Sequence, residues 1–285
     1  MGEYRGIIAG LVVFLLANFP LIVVADSGTR IQIVGSTTVL PVASRSAQKF
    51  MESSSSRILV NAGGSGVGIH SVVRGSADIG MASRGISQDE KKRYEKSNLK
   101  IHPVGLDAVA CVVSSEIYQA GVQHLTASQI ANIYLGKIRS WKEVGGPDRK
   151  IVVVDKERHR GTRHVFMQYV FGNASQRTPG TILVTGSNNE EQAKIAQSDS
   201  AIGMLSFNWI NEDVKAVALL DQGKEVLPTW KAVRKGTYPI VRKLNFITAG
   251  KPKGEVKAFI DFVKGPEGQK IVEESGYIPI ESPRP

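Results

Sequence analysis

The segment RIQIVGSTTVLPVASRSAQKF, residues 30–50, decides the fold. Ile31 to Val34 is a short β-branched run with the character of a buried strand. From Leu40 the period changes: Leu40, Ala43, Ala47 and Phe50 recur at helical spacing. Between the two lie Gly35, Ser36, Thr37 and Thr38. The arrangement recurs. Ile58 to Val60 leads through Asn61-Ala62-Gly63-Gly64-Ser65-Gly66 to a short helix marked by Ile69, Val72 and Val73 and stopped at Gly75. Ile151 to Val154 leads through a charged loop to Gly161-Thr162-Arg163 and a helix with Val165, Phe166, Tyr169 and Val170 on one face. Alternating strands and helices of this kind predict an α/β protein with parallel sheets covered by helices.

The rest of the chain agrees. Ser87 to Glu90, Thr126 to Gln129 and Ser187 to Glu190 each have the form of a capping box at a helix start. Ile101 to Val113 is one long strand and Ile202 to Leu205 a buried one. Val256, Phe259, Ile260 and Val263 form a helix face, and a last helix starts at Pro266 and closes at Gly276.

Each strand-to-helix loop presents unpaired backbone N–H groups and hydroxyls at a helix N-terminus. Free donors and the helix dipole both favour negative charge there, so three such loops point to an anion site. In α/β sheets these loops gather beyond the carboxyl ends of the strands. Nucleotide motifs do not fit: Gly63 to Gly68 lacks the Gly-Lys-Ser/Thr ending of a phosphate loop, and Gly64, Gly66 and Ile69 break the dinucleotide fingerprint. No Gly-x-Ser-x-Gly elbow and no HExxH helix is present. Two charged residues stand out. Arg84 follows Ser83 after the strand-like Ala77 to Met81, within reach of an anion. Asp107 interrupts the apolar run Val104 to Val113, where a carboxylate requires a function or a buried ion pair with an arginine.

Composition narrows the class. The 285 residues carry a formal net charge of +10, which suits an acidic ligand. The Lys and Arg residues are spread along the chain without a dense basic block, so nucleic acid is not the expected partner. The lone Cys111, inside an apolar run, reads as a buried hydrophobe; no metal and no cofactor is expected. Residues 1–25 read as a signal peptide: Arg5, the apolar run Ile7 to Leu16, its continuation Phe19 to Val24, and a Val23-Val24-Ala25 ending that predicts cleavage after Ala25. The alternative for this segment is a retained membrane anchor.

Six motifs in fixed order carry a family resemblance: Gly-Ser-Thr-Thr-Val-Leu-Pro (35–41), Gly-Gly-Ser-Gly (63–66), Ala-Asp-Ile-Gly-Met-Ala-Ser-Arg (77–84), Gly-Lys-Ile-x-x-Trp-x-x-Val-Gly-Gly (136–146), Gly-Thr-Arg-x-x-Phe (161–166) and Gly-Tyr-Ile-Pro (276–279). The chain resembles, from about Ile31 to Ile280, the phosphate-binding proteins of phosphate ABC transporters. The resemblance implies a two-lobed periplasmic-binding-protein fold of type II with two crossing hinge strands. Ile101 to Val113 would be the first crossing and Arg242 to Ala249 the second. Lobe 1 would comprise residues 26–108 and 244–285, with the C-terminal helices packed back on it, and lobe 2 residues 109–243. Ser36, Thr37, Thr38, Ser65, Gly66, Ser83, Gly161 and Thr162 match the family's ligand positions.

Two departures bear on the pocket. Some relatives carry Asp where this chain has Arg84, and many carry Ser where it has Arg160, so the site is expected to be more cationic, with Arg84 and Arg160 added to it. Asp107 is the expected replacement acceptor and the expected selector of phosphate over sulfate. An ionised carboxylate accepts the proton that phosphate retains near neutral pH and repels sulfate, which has none. The implied function is non-enzymatic: capture of inorganic phosphate in the periplasm and delivery to a membrane permease. The rivals are a receptor for sulfate, molybdate or tungstate, and a secreted phosphatase or other hydrolase.

Overall fold

Parallel strands need crossover helices, and the first five elements obey that rule. In the structure, a computed structural model that describes residues 29–221 and 223–280, they are β1 (Arg30–Gly35), α1 (Leu40–Met51), β2 (Arg57–Ala62), α2 (Ser65–Val73) and β3 (Ile79–Ala82). The expected signal peptide, residues 1–25, lies outside the described residues. β1 is central, with β2 and β3 parallel on either side. Then come α3 (Gln88–Arg93) and the long β4 (Leu99–Ser114). The middle of the chain forms α4 (Ser115–Gln119), β5 (His124–Thr126), α5 (Ala127–Tyr134), β6 (Val152–Lys156), α6 (Gly161–Phe171), β7 (Leu183–Thr185), α7 (Asn188–Ala196) and β8 (Ala201–Ser206). After β9 (Val214–Ala216), β10 (Ala218–Asp221), β11 (Lys224–Val226) and α8 (Trp230–Arg234), β12 (Val241–Ala249) returns, followed by α9 (Gly254–Lys264) and α10 (Pro266–Glu274).

One sheet runs through the molecule in the order β2-β1-β3-β12-β4-β8-β6-β7, with β9 beside β4. β4 is the element that joins its halves. From Leu99 to Ala108 it pairs antiparallel with β12, which also lies against β3. From Val109 it pairs with β8 instead, Val109 opposite Ser206. Apolar residues sort on the same division. Ile31, Ile33, Ala43, Phe50, Ile79, Phe246, Phe259 and Val263 belong to one core. Cys111, Ile133, Tyr134, Trp141, Phe166, Ile202 and Met204 belong to another. α9 packs on the first: Phe259 stacks on Phe246 at 5.9 Å between ring centroids and meets the edge of Phe50 at 5.5 Å. Cys111 is fully buried, and burial pushes its thiol well above the ordinary range.

The capping signals at Ser87 and Thr126 form complete capping boxes. At Ser187 half of the box forms. The hydroxyl accepts from Glu190 N, but the Glu190 carboxylate accepts from Gly186 N at 2.6 Å. The small sheet β11-β10-β5 carries no strong period in strands of three or four residues. It forms because Leu125 and Leu219 are buried in the second core.

Where α2 lies on β1 and β3, backbone replaces side chain. A Cβ on Gly68 would stand 2.7 Å from the carbonyl oxygens of both Met81 and Val34. Neither carbonyl can retreat without breaking sheet pairing. Gly68→Ala is expected to cost about 1–3 kcal/mol, the usual range for overpacking. Thermal unfolding of the variant against the parent reads this directly.

Candidate functional site

Four chain segments converge where the two cores face each other. Ser36, Thr37 and Thr38 come from the β1–α1 loop and Gly64 from the start of α2. Lys156, Arg160, Gly161 and Thr162 come from the end of β6 and the start of α6, and Ser187 and Asn188 from the start of α7. Together they line a small pocket. Helix geometry leaves the N–H groups of Gly161, Thr162 and Arg163 without acceptors inside α6. The same holds for the first N–H groups of α7, apart from Glu190 N, which Ser187 Oγ takes at 3.2 Å.

The first loop is held from both sides. Ser36 N donates to Met81 O at 2.9 Å, and Ser36 Oγ accepts from Thr38 N at 3.2 Å. Tyr277 Oη donates to the Thr38 carbonyl at 2.8 Å, which gives the C-terminal Gly-Tyr-Ile-Pro motif its part in the site. Trp141 of the central motif is structural: it is fully buried and donates from Nε1 to Ser200 O at 2.9 Å.

Arg242, on β12, lies beneath these loops and was not among the residues expected from sequence. Its Nε and Nη2 donate to Asp107 Oδ2 at 2.8 and 2.7 Å. Nη1 reaches Thr162 Oγ1 at 3.0 Å and Ser83 Oγ at 3.3 Å, while Nη2 reaches Thr38 Oγ1 at 3.2 Å. Register explains the pair, since Arg242 and Asp107 are direct cross-strand partners. Lys156, Ser187 and Asn188 were also missed as site residues. Lys156 is buried, pairs with buried Glu191 and donates to Ser187 O at 3.1 Å. The only signal for it was a charged Asp155-Lys156 pair ending a β-branched run.

Of the expected residues, Arg84, Asp107, Ser65, Gly66 and Ser83 do not line the pocket. Arg84 turns away: Nη1 and Nη2 bind Glu90 at 2.6 and 2.8 Å, and Nη1 also donates to Gly85 O. Burial drives the Glu90 carboxyl up, but the Arg84 bonds outweigh it and the net shift is downward. Asp107 is fully buried with both oxygens engaged, Oδ2 by Arg242 and Oδ1 by the Ser206 hydroxyl at 2.9 Å. It therefore holds Arg242 in place and does not line the pocket. The cations at and beneath the pocket are each paired. Arg242 is matched by Asp107, Lys156 by Glu191, and Arg160 by Glu157 at 2.5 Å. Burial raises the Asp107 and Glu191 carboxyls, and their cationic partners oppose that rise.

Ser65, Gly66 and Ser83 stand behind the pocket lining. Ser83 Oγ accepts from Ser36 Oγ at 3.0 Å, and Ser65 Oγ accepts from Ser83 N at 3.0 Å. Gly66 N donates across to His159 O at 3.0 Å, and His159 Nε2 lies 3.1 Å from Gly63 O. Asn188 Nδ2 donates to Thr38 Oγ1 at 2.9 Å. Gly161 is required here: a Cβ on it would be 2.3 Å from Ser65 Oγ and 2.4 Å from Ser83 Oγ. The halves are thus closed on each other. Chemically the pocket offers backbone N–H groups, hydroxyls and locally neutralised cations, the equipment for holding a small oxyanion.

Known proteins carry the same architecture. The model of the PBP superfamily domain matches residues 23–267. The phosphate-binding protein PstS of Bacillus subtilis is 35% identical over 250 residues, covering 87% of this chain and 80% of that protein. A Clostridium perfringens protein described as the substrate-binding protein of a phosphate ABC transporter, solved with bound phosphate, superposes with a TM-score of 0.79 at 32% identity, over 89% of this chain and all of that one. An ABC-type phosphate transport receptor from Vibrio cholerae gives 0.70 at 31% identity, over 87% and 99%. The chain belongs to the PBP superfamily and, within it, to the PstS phosphate-binding proteins.

Proposed function

We propose that the chain is a receptor rather than an enzyme: it captures inorganic phosphate between its two lobes outside the cytoplasm and delivers it to the membrane permease of an ABC transporter. The observation that carries this reading is the pocket at the meeting of three helix starts, closed by contacts from both lobes. Family membership and the phosphate bound to the Clostridium perfringens neighbour support it. Rival oxyanions have no such support among these relatives.

Ser36, Thr37, Thr38, Arg160, Gly161 and Thr162 are read as direct contacts, joined by Lys156, Ser187 and Asn188. Arg242 supports them from below. Hydroxyls both donate and accept, so they suit an oxyanion that retains a proton. Micromolar affinity corresponds to about −8.2 kcal/mol. Hydrogen bonds to a charged group contribute about 1.5–3 kcal/mol each, so a handful suffices. Lobe 1 as residues 26–108 and 244–285 and lobe 2 as 109–243 is supported by the hand-over of β4 from β12 to β8 after Ala108. Opening and closing about the two crossing strands is then a population shift biased by contacts made only in the closed form. Export with cleavage after Ala25 follows from the apolar leader.

Calorimetric titration of the purified mature chain with phosphate should give a dissociation constant at or below the micromolar range, and phosphate should raise the melting temperature by linkage. A protein unmoved by millimolar phosphate ends this reading. Asp107→Asn separates positioning from selection. It leaves a buried guanidinium short of its carboxylate and should cost about 3–5 kcal/mol of stability. Phosphate and sulfate affinities should change together, so that their ratio stays constant; a changed ratio in parallel titrations would restore Asp107 as the selector. Mass spectrometry of the exported protein should find Asp26 at the N-terminus, and recovery of the full-length chain in membranes would indicate a retained anchor.

A further inference from the structure

β7 ends the sheet. β6 pairs with its inner side, and among the described residues no strand lies on its outer side. Sheet edges with free N–H and C=O groups are templates for another strand, and proteins blunt them with charge, proline or cover. This edge is short, three residues, but carries neither proline nor charge of its own. Ile182, Leu183 and Val184 are consecutive and exposed by 48, 38 and 62%. The other exposed large apolar residues among those described, Met51, Val67, Ile101 and Leu227, are scattered singly along the chain.

Charge defines what would cover the edge. Val184 also lines a groove of about 560 Å³ beside β6. Of the charged side chains there, Arg163 pairs with Asp155, Lys156 with Glu191, and Glu157 with Arg160. Arg158 and Arg177 are left: both are exposed and, among the described residues, neither makes an ion pair. Among the described residues the surface therefore offers an unpaired strand edge, exposed apolar side chains and, beside Val184, two unmatched guanidinium groups. An extended segment with apolar and acidic side chains complements all three.

Position gives the edge a mechanical consequence. β7 ends at Thr185, and the chain passes through Gly186 directly to Ser187 and Asn188 in the pocket. Asn188 is one of the lobe 2 residues that hold lobe 1, through Thr38. The sheet edge and a contact that holds the lobes together thus lie on one short stretch of chain.

We propose that the outer edge of β7, with Arg158 and Arg177, is the docking site for an extended acidic segment that the permease exposes on the outer side of the membrane, and that docking there loosens the Asn188–Thr38 contact to release the ligand. The proposal rests on the transporter reading above. Val184→Lys blunts the edge as natural edge strands do, and Arg177→Glu reverses one of the unmatched charges. Leu227→Lys, exposed elsewhere, serves as control. Each purified variant is titrated with inorganic phosphate. Each is also expressed as the sole receptor in cells assayed for uptake of radiolabelled phosphate.

Phosphate affinity should stay within about twofold for all three, as for neutral surface changes. Uptake should fall by about tenfold or more for Val184→Lys and Arg177→Glu, the cost of losing an interface anchor, and remain unchanged for Leu227→Lys. Unchanged uptake in the first two overturns the proposal. So does a parallel loss of phosphate affinity, which would place the patch in ligand binding. A concentration-dependent dimer abolished by Val184→Lys, with uptake intact, would assign the edge to a second copy of the chain. A parent chain that fails to bind phosphate is a different failure, of the functional reading itself, and appears in the titration before any variant is compared.

Discussion

Arg242 and Asp107 face each other across the two strands that join the lobes, and the rest of the site is arranged around that pair. A buried guanidinium without its carboxylate, or the reverse, would cost several kcal/mol, so neither residue is free to change alone. The pair also fixes direction. With Nε and Nη2 committed to Asp107, the guanidinium plane is set, and its outer edge points at the hydroxyls of Thr38, Ser83 and Thr162. These come from both lobes, so one side chain at the hinge holds together loops that are far apart in the chain.

Local neutrality follows the same logic at Lys156 and Arg160, each matched by its own carboxylate. Bare cations clustered around an empty pocket would repel one another and resist closing. Paired cations allow the lobes to meet, and their donors join those of backbone N–H groups, hydroxyls and helix dipoles, whose partial charges need no counter-ion. Such donors are fixed by the backbone, so a small oxyanion meets an arrangement already oriented for it. Glycine at position 161 belongs to this design, because a Cβ there would meet the Ser65 and Ser83 hydroxyls of the other lobe at 2.3 and 2.4 Å.

Much of this was legible in the sequence. The change of period between Ile31–Val34 and Leu40–Phe50 determined a strand, a loop and a helix, because burial on one face imposes those spacings whatever the neighbours are. The same argument located the loops at Ser36–Thr38 and Gly161–Thr162 and the long strand Ile101–Val113, while the second crossing, Arg242–Ala249, was implied by the family resemblance. Asp107 declared itself as a carboxylate in an apolar run. Its partner did not. Arg242 is one of 36 basic residues, and only the antiparallel register of β4 and β12 puts it opposite Asp107. Arg84 was misread for a related reason: a residue adjacent to a site residue can turn either way, and Glu90, fixed by its own capping box, supplied the stronger attraction.

The sequence by itself determined the class of fold, the order of its elements and the helix-start loops that carry the donors, since these depend on local periodicity and on backbone geometry near each residue. The tertiary structure alone decided which cations meet which carboxylates and which loops share a pocket. It also decided that, among the described residues, β7 has a partner strand on one side alone. Those outcomes depend on pairings between residues as much as 239 positions apart, as for Tyr277 and Thr38. Electrostatic and hydrogen-bond energies fall off over a few ångströms of space, and separation along the chain does not record that distance.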